Sequence, residues 1–229
     1  MRRRVHLIAL AILAAVFLPS AYAQKNSELE KVLDSMDRAA AGFKTTEAAF
    51  VWDQYQKVVD ETDTQKGRVY FRRSGKEVEM AADITEPDAK YVLYTDSKVQ
   101  VYQPRIEQVT VWNAAKNKGD LESYLVLGFG GRGHDLAQSF EVKYLGSEDL
   151  NGIRTAKLDL VPKSEKVRNN FSHITLWIDP ERGISVQQQL FDPDGNYRLA
   201  KYSDIKINQK IADNVFKLKT SSKTKFVTP

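Results

Sequence analysis

The sequence predicts a mainly β, α+β fold: an open, strongly curved antiparallel sheet of about 10–11 strands, with an N-terminal helix and further helices over its apolar concave face. Three observations carry this. Between residues 46 and 207, short runs rich in Val, Ile, Tyr, Phe and Trp recur between turn residues. No helices alternate with them apart from one interruption after about residue 114, so the strands form an antiparallel meander rather than βαβ units. That many strands in one domain must curl or split, and a sheet larger than a filled barrel of ~8 strands leaves room for a ligand.

The elements follow in order. Arg2, Arg3 and Arg4, an apolar core from Val5 to Leu18 and the small-x-small site Ala21-Tyr22-Ala23 make residues 1–23 a secretory signal peptide for Sec export, with Gln24 first in the mature chain. The apolar run falls short of the ~20 residues of a spanning helix. Ser27-Glu28-Leu29-Glu30 fits a capping box, and Leu29, Val32, Leu33, Met36, Ala40 and Phe43 follow helical spacing, which gives a helix over about 28–42 with Ser27 as its N-cap. Six strand runs follow: TEAAFVWDQYQKVV, GRVYFRRS, KEVEMAAD, AKYVLYTD, KVQVYQ and EQVTVW. Asp120–Leu127 reads as a short helix, GFGGRG (128–133) as a glycine turn, and His134–Phe140 as a second short helix. Strands resume with FEVKYLGS, GIRTAKLDLVP, FSHITLWID, GISVQQQLFD and NYRLAKYSDIKI, the last two joined by the strong hairpin turn Asp192-Pro193-Asp194-Gly195-Asn196. A turn at IADNVF and a Lys-rich tail close the chain. No linker, low-complexity stretch or repeat divides residues 24–229, which read as one domain.

Composition narrows the function. Three of the 34 basic residues lie in the leader, which leaves 31 against 30 acidic ones and a net charge near +1, so no broad electrostatic attraction to nucleic acid or anionic membrane is expected. Cysteine is absent, which removes disulfides, zinc–thiolate sites and thiol nucleophiles. A bacterial lipoprotein is acylated on a cysteine directly after its leader; Gln24 stands there, so this chain is not expected to be lipid-anchored by that route.

GFGGRG spells G-x-G-x-x-G, the dinucleotide fingerprint. That fingerprint needs a strand before it, a helix after it and a βαβ unit around it. Here a short amphipathic helix precedes it and no βαβ unit is visible. Two readings stay open: a plain glycine turn, or the hinge of a mobile helical flap on the sheet, built from Gly128, Gly130, Gly131 and Gly133. Catalytic constellations are missing. The mature chain has two histidines, His134 at the start of the second flap helix and His173 in a strand, and neither sits in a nucleophile-elbow or metal-ligand pattern. Glu77 and Glu79 alternate on a strand towards solvent. No enzyme activity, catalytic residue, metal or cofactor is therefore expected. Arg68 and Arg72 share one strand face, while Arg73 shares the other with Val69 and Phe71. Arg73 either snorkels to water from the strand end or turns inward to hydrogen-bond the flap.

Taken together, the segments resemble the LolA-like family of periplasmic outer-membrane lipoprotein carriers, over nearly the whole mature chain. The resemblance lies in the order and spacing of the amphipathic helix with FKTTEAAF, GRVYFRR, TDSKVQVYQPRIEQVTVW, LGFGGRGHDL, LDLVPKS and the closing DNVFKLK. It implies an open half-barrel with a helical lid over a hydrophobic cavity, binding of lipoprotein acyl chains, receipt from an inner-membrane ABC-type exporter, delivery to an outer-membrane receptor, and a monomer needing no cofactor. It also implies an arginine on the GRVYFRR strand that holds the lid shut; Arg73 matches that position, although Ser74 follows it where the family often has proline. Apolar and aromatic choice then gives Phe50, Trp52, Val69, Phe71, Met80, Val101, Trp112, Leu125, Phe129, Leu136, Leu158 and Leu176 as the lining of the lipid cavity. The physics suits such a role: each acyl CH₂ removed from water gains ~0.8 kcal/mol, so a chain of about 16 carbons exposed in an aqueous gap costs on the order of 10 kcal/mol. Two other classes compete: a half-barrel module that senses a lipid or a membrane protein, and a hydrolase.

Overall fold

The structure, a computed structural model, describes residues 18–75, 77–117 and 127–229. Residues 1–17, most of the expected leader, and 118–126, most of the first expected flap helix, lie outside the described residues.

Six strands form a first meander: β1 (Thr45–Gln56), β2 (Glu61–Ser74), β3 (Glu77–Glu86), β4 (Lys90–Thr95), β5 (Lys98–Gln103) and β6 (Gln108–Asn113). Five form a second: β7 (Phe140–Leu150), β8 (Ile153–Pro162), β9 (His173–Asp179), β10 (Ile184–Phe191) and β11 (Tyr197–Ile207). Pairing of β1 with β11 fuses the meanders into a single sheet, and β12 (Lys225–Val227) adds to β6 in parallel, giving the order β12-β6-β5-β4-β3-β2-β1-β11-β10-β9-β8-β7. The sheet is curled and does not close. Its two ends, β7 and β6 with β12, are linked in the chain by residues 114–139, and this link carries the flap.

All eleven expected strands are present, and β12 is an addition within the tail. It is three residues long and exposed throughout, with lysine at its start, so it offers no alternation for a sequence reading to find. Among the described residues the α-helices are α1 (Leu18–Ala41), α2 (Gly133–Ser139) and α3 (Glu165–Arg168). One expectation needs correction: Ser27 is not an N-cap but lies in the interior of α1. Ala21, Ala23, Gln24 and Lys25, just upstream, are all strong helix formers, so nothing local stops the helix at the capping-box pattern.

Register decides which face is buried, because directly paired residues project to the same side. One row runs Ala48–Val69–Ala82–Val92–Val101 across β1 to β5. Another runs Trp52–Ala200–Gln188–Leu176–Leu158 across β1 and β11 to β8. Both lie on the face that carries α1, here the inner face. On the β7–β10 half, Val32 and Met36 of α1 and Leu136 of α2 bury against Leu158, Leu160, Ile174 and Leu176. On the β1–β4 half, Phe43, Ala48, Phe50, Val69, Phe71, Ile84 and Phe129 form a second cluster.

The outer face has a smaller core. Ala81 and Leu93 pack beneath Phe216, which a 3-10 turn (Asp213–Phe216) holds against the sheet. The Tyr91 hydroxyl donates to the Val215 carbonyl, and burial pushes its pKa up to about 12, so it remains a donor. Arg72 lies over the Phe216 ring and pairs with Glu79 and Asp213. The expected IADNVF turn thus straps the tail to the outside of the sheet.

Candidate lipid-binding face and its lid

Residues 127–130, the start of the glycine run, are buried between the two halves of the inner face. Phe129 fills the seam. Its ring stacks on Phe71 with centroids 5.3 Å apart and meets Tyr202 edge-on at 4.8 Å. Three hydrogen bonds fasten the segment through its backbone. The Gln188 side-chain amide donates to Leu127 O, Ser185 N donates to Gly128 O at 2.8 Å, and Arg73 Nη2 donates to Gly130 O at 2.8 Å. The Arg73 guanidinium also lies 5.4 Å from the Phe43 ring centroid. Burial of its hydroxyl strongly raises the pKa of the half-buried Tyr202, and that hydroxyl reaches Gln188 Oε1 at 3.4 Å.

The glycines are here because no side chain fits. Gly128 and Gly130 both take φ +78°, and an added Cβ would come within 2.3 Å of Ser185 Cβ at the first and 2.4 Å of the Phe43 ring at the second. At Gly133 a Cβ would fall 2.4 Å from Leu33 O, so glycine lets α2 cross against the backbone of α1. Residues 128 and 130 are packed into the sheet rather than held in a slack loop, and the run lacks the βαβ setting of the dinucleotide fingerprint: α2 follows it, but an antiparallel meander surrounds it.

A polar clasp ties α2 to α1. His134 Nδ1 lies 2.8 Å from Asp37 Oδ2, His134 Nε2 lies 3.2 Å from Glu30 Oε2, and His134 N donates to Asp37 Oδ1 at 3.2 Å. Arg132 stands 3.6 Å from the same Asp37 carboxylate. A ring with a carboxylate on each nitrogen is best served as imidazolium, which donates from both. Hydrogen bonds to Asp37 and then Glu30 accordingly raise the His134 pKa above 6.5. Burial acts to raise Asp37, but the bonds from the His134 ring and backbone outweigh it and hold that carboxyl below its ordinary value.

The expected wall residues divide into three groups. Phe50, Val69, Phe71 and Phe129 belong to one buried cluster, with Trp52 and Met80 half-buried at its border. Leu136, Leu158 and Leu176 belong to the other, under α1. Val101 and Trp112 share the inner face but sit towards the β6 end, and Trp112, on the row Thr46–Phe71–Met80–Tyr94–Val99–Trp112, is 42% exposed. Trp112 is therefore a rim residue in this arrangement, because β6 lies beside the open end of the sheet. Leu125 lies outside the described residues. His173 stacks on Phe191 at 4.1 Å, away from the flap.

The contributions of Phe43, Ser185, Gln188, Tyr202 and Asn208 were not visible beforehand. Gln188 is one of three consecutive glutamines, and a register shift between Ser185 and Gln187 decides which of them turns inward. Asn208 supplies the corner where α1 turns into β1: its amide donates to Gly42 O at 2.9 Å and its Oδ1 accepts from Lys44 N at 2.8 Å.

Comparison with known proteins agrees with this geometry. A family model described as outer membrane lipoprotein carrier protein LolA matches residues 41–219. The chain belongs to the LolA family. The matched span contains β1 to β11 and the flap, while most of α1 and β12 fall outside it. The family is one of carrier and binding proteins rather than of enzymes. Among solved structures, an uncharacterized conserved protein from Thermus thermophilus superposes with a TM-score of 0.54 at 12% identity, covering 88% of this chain and 99% of that one. MucB superposes at 0.53 and 12% identity, covering 84% of this chain; this chain spans 63% of MucB's length. The Pseudomonas aeruginosa MucA/MucB complex gives 0.50 at 12%, with 84% and 61% covered. At such identities these likenesses bear on the fold alone. A search of curated proteins returned no match.

Proposed function

We propose that this chain is a periplasmic carrier which takes acyl chains of lipoproteins, or related lipids, onto the inner face of its sheet and shuttles them from the inner to the outer membrane. The observation that carries the reading is the Arg73–Gly130 hydrogen bond, which holds the Phe129 plug over the aromatic floor of Phe71 and Tyr202. A carrier must hide acyl chains yet release them. A plug that is apolar in its contacts but fastened by three polar bonds has two favourable arrangements: seated on its own sheet, or displaced by a ligand that covers the same apolar surface. Arg73 is then the lid latch, and the segment around Gly128, Gly130, Gly131 and Gly133 is the moving part. Residues 1–23 direct export and are removed, an inner-membrane ABC-type exporter loads the carrier, and an outer-membrane receptor unloads it. Neither step needs a cofactor in the carrier.

The test is reconstituted transfer. Mature protein is incubated with inner-membrane vesicles carrying a labelled lipoprotein, then with outer-membrane vesicles. Soluble labelled complex followed by label in the second vesicles is expected. Acyl binding without transfer would favour the lipid-sensing module instead, and hydrolysis of the acyl chains would favour a hydrolase.

A further inference from the structure

Thr46 lies on the inner face of β1, paired with Phe71 on one side and Ile207 on the other, and is fully buried. Its hydroxyl is the one buried side-chain polar atom without a hydrogen-bond partner among the described residues. Leaving a buried hydroxyl unpaired costs free energy that a valine of the same shape would not incur, so its place here calls for a cause. Its surroundings supply one. Arg73 N donates to Lys44 O at 2.8 Å, which sets Arg73 opposite Lys44 and diagonally next to Thr46. Arg73 turns inward to the lid, where its guanidinium binds Gly130 O. Thr46 and Arg73 thus stand side by side next to Phe71, at the point where the lid is fastened.

We propose that Thr46 and Arg73 form a polar subsite for the oxygen-bearing head of an acylated ligand, an ester carbonyl or a carboxylate, which becomes available when residues 127–133 lift. This rests on the carrier reading and names which part of the ligand meets which part of the protein. Both side chains offer donors, and arginine has no acceptor, so the pair selects an oxygen acceptor over an amine. The guanidinium exchanges the Gly130 carbonyl for the ligand's oxygen, the threonine hydroxyl gains the partner it lacks, and the acyl chain runs from there along Phe71 and Phe50. Binding and unlatching are then the same event, since the ligand head competes for the group that holds the lid.

The experiment compares mature wild-type protein, Thr46→Val and Thr46→Ser by titration with hexadecanoic acid, its methyl ester and the alkane of equal length. Thr46→Val is expected to bind the acid, the ester or both at least about fivefold more weakly, the size of one hydrogen bond to a polar or charged partner. It should bind the alkane as wild type does, and Thr46→Ser should restore the loss. Loss for the acid alone assigns the subsite to a free carboxylate; loss for both assigns it to the shared carbonyl. The ligand-free melting temperature of Thr46→Val should be at or above wild type, which separates lost binding from lost folding. Equal affinity for all probes in wild type and Thr46→Val, or equal loss on the alkane, overturns the subsite while leaving the carrier reading in place. Failure of wild type to bind any of the three overturns both.

Discussion

Arg73 ties residues 127–130 to the sheet through Gly130 O. Alternation with Val69 and Phe71 set its face apart from that of Arg68 and Arg72, which pair with Glu47 and Glu79 on the other side, but left open whether it snorkels to water or turns inward. Its partner could not be read from the sequence: a backbone carbonyl in a glycine run carries no sequence signature. Removing one part-buried hydrogen bond from an arginine should cost roughly 1–3 kcal/mol. Arg73→Leu is therefore expected to lower the denaturant midpoint modestly while speeding amide exchange across 127–133. Phe129 carries more. Truncating a fully buried phenylalanine costs about 3–5 kcal/mol, so Phe129→Ala should depress the melting temperature far more than Arg73→Leu does. If the two variants melt alike, the plug is not seated as described. Gly130→Ala should behave like a core lesion despite adding only a methyl, since it combines a positive φ with a 2.4 Å contact to Phe43. Thr46 shows the limit of reading by pattern: it looks like any strand threonine, and only the register shows that it is buried without a partner.

At the scale of elements, the α1–α2 clasp should respond to pH. His134 has a folded-state pKa raised above 6.5, so its contribution is fully present below that value and is lost as pH rises through the raised one. Asp37 has a lowered pKa, so its contribution is present above the ordinary carboxylate value near 3.8 and is lost as pH falls through the lowered one. The clasp is thus strongest from the upper carboxylate range to about 6.5 and loosens above neutrality. Amide exchange in residues 133–139, corrected for its intrinsic pH dependence, should quicken relative to the β8 core as pH rises past 6.5. In His134→Gln that difference should vanish; persistence of the same profile in the variant would contradict the clasp. His134 is 43% exposed at its side chain, so solvent screening keeps the effect local, and global stability should change little. The elements themselves were legible where alternation was strong. Eleven strands follow from β-branched and aromatic runs, whereas β12 and the upstream course of α1 depended on edge pairing and on continuing helix propensity, neither of which leaves a periodic mark.

At the scale of the molecule, the fold class was readable because eleven strand runs without alternating helices leave few solutions, and so many strands in one sheet must curl. What covers it was only half readable. The flap lies between the meanders in sequence, which is why it crosses the inner face; its contacts with Ser185, Gln188 and Tyr202 come from the second meander and are long-range. The consequence is a molecule whose own Phe129 occupies the apolar surface that an acyl chain would cover in the proposed carrier. The decisive measurement is mass spectrometry of organic extracts from wild type and Arg73→Leu, each purified from the native host. Near-stoichiometric acyl species in wild type, with more retained in Arg73→Leu because the lid no longer closes to expel them, is the expected result. The absence of bound acyl species from both proteins would contradict the carrier and leave the inner face without an acyl ligand.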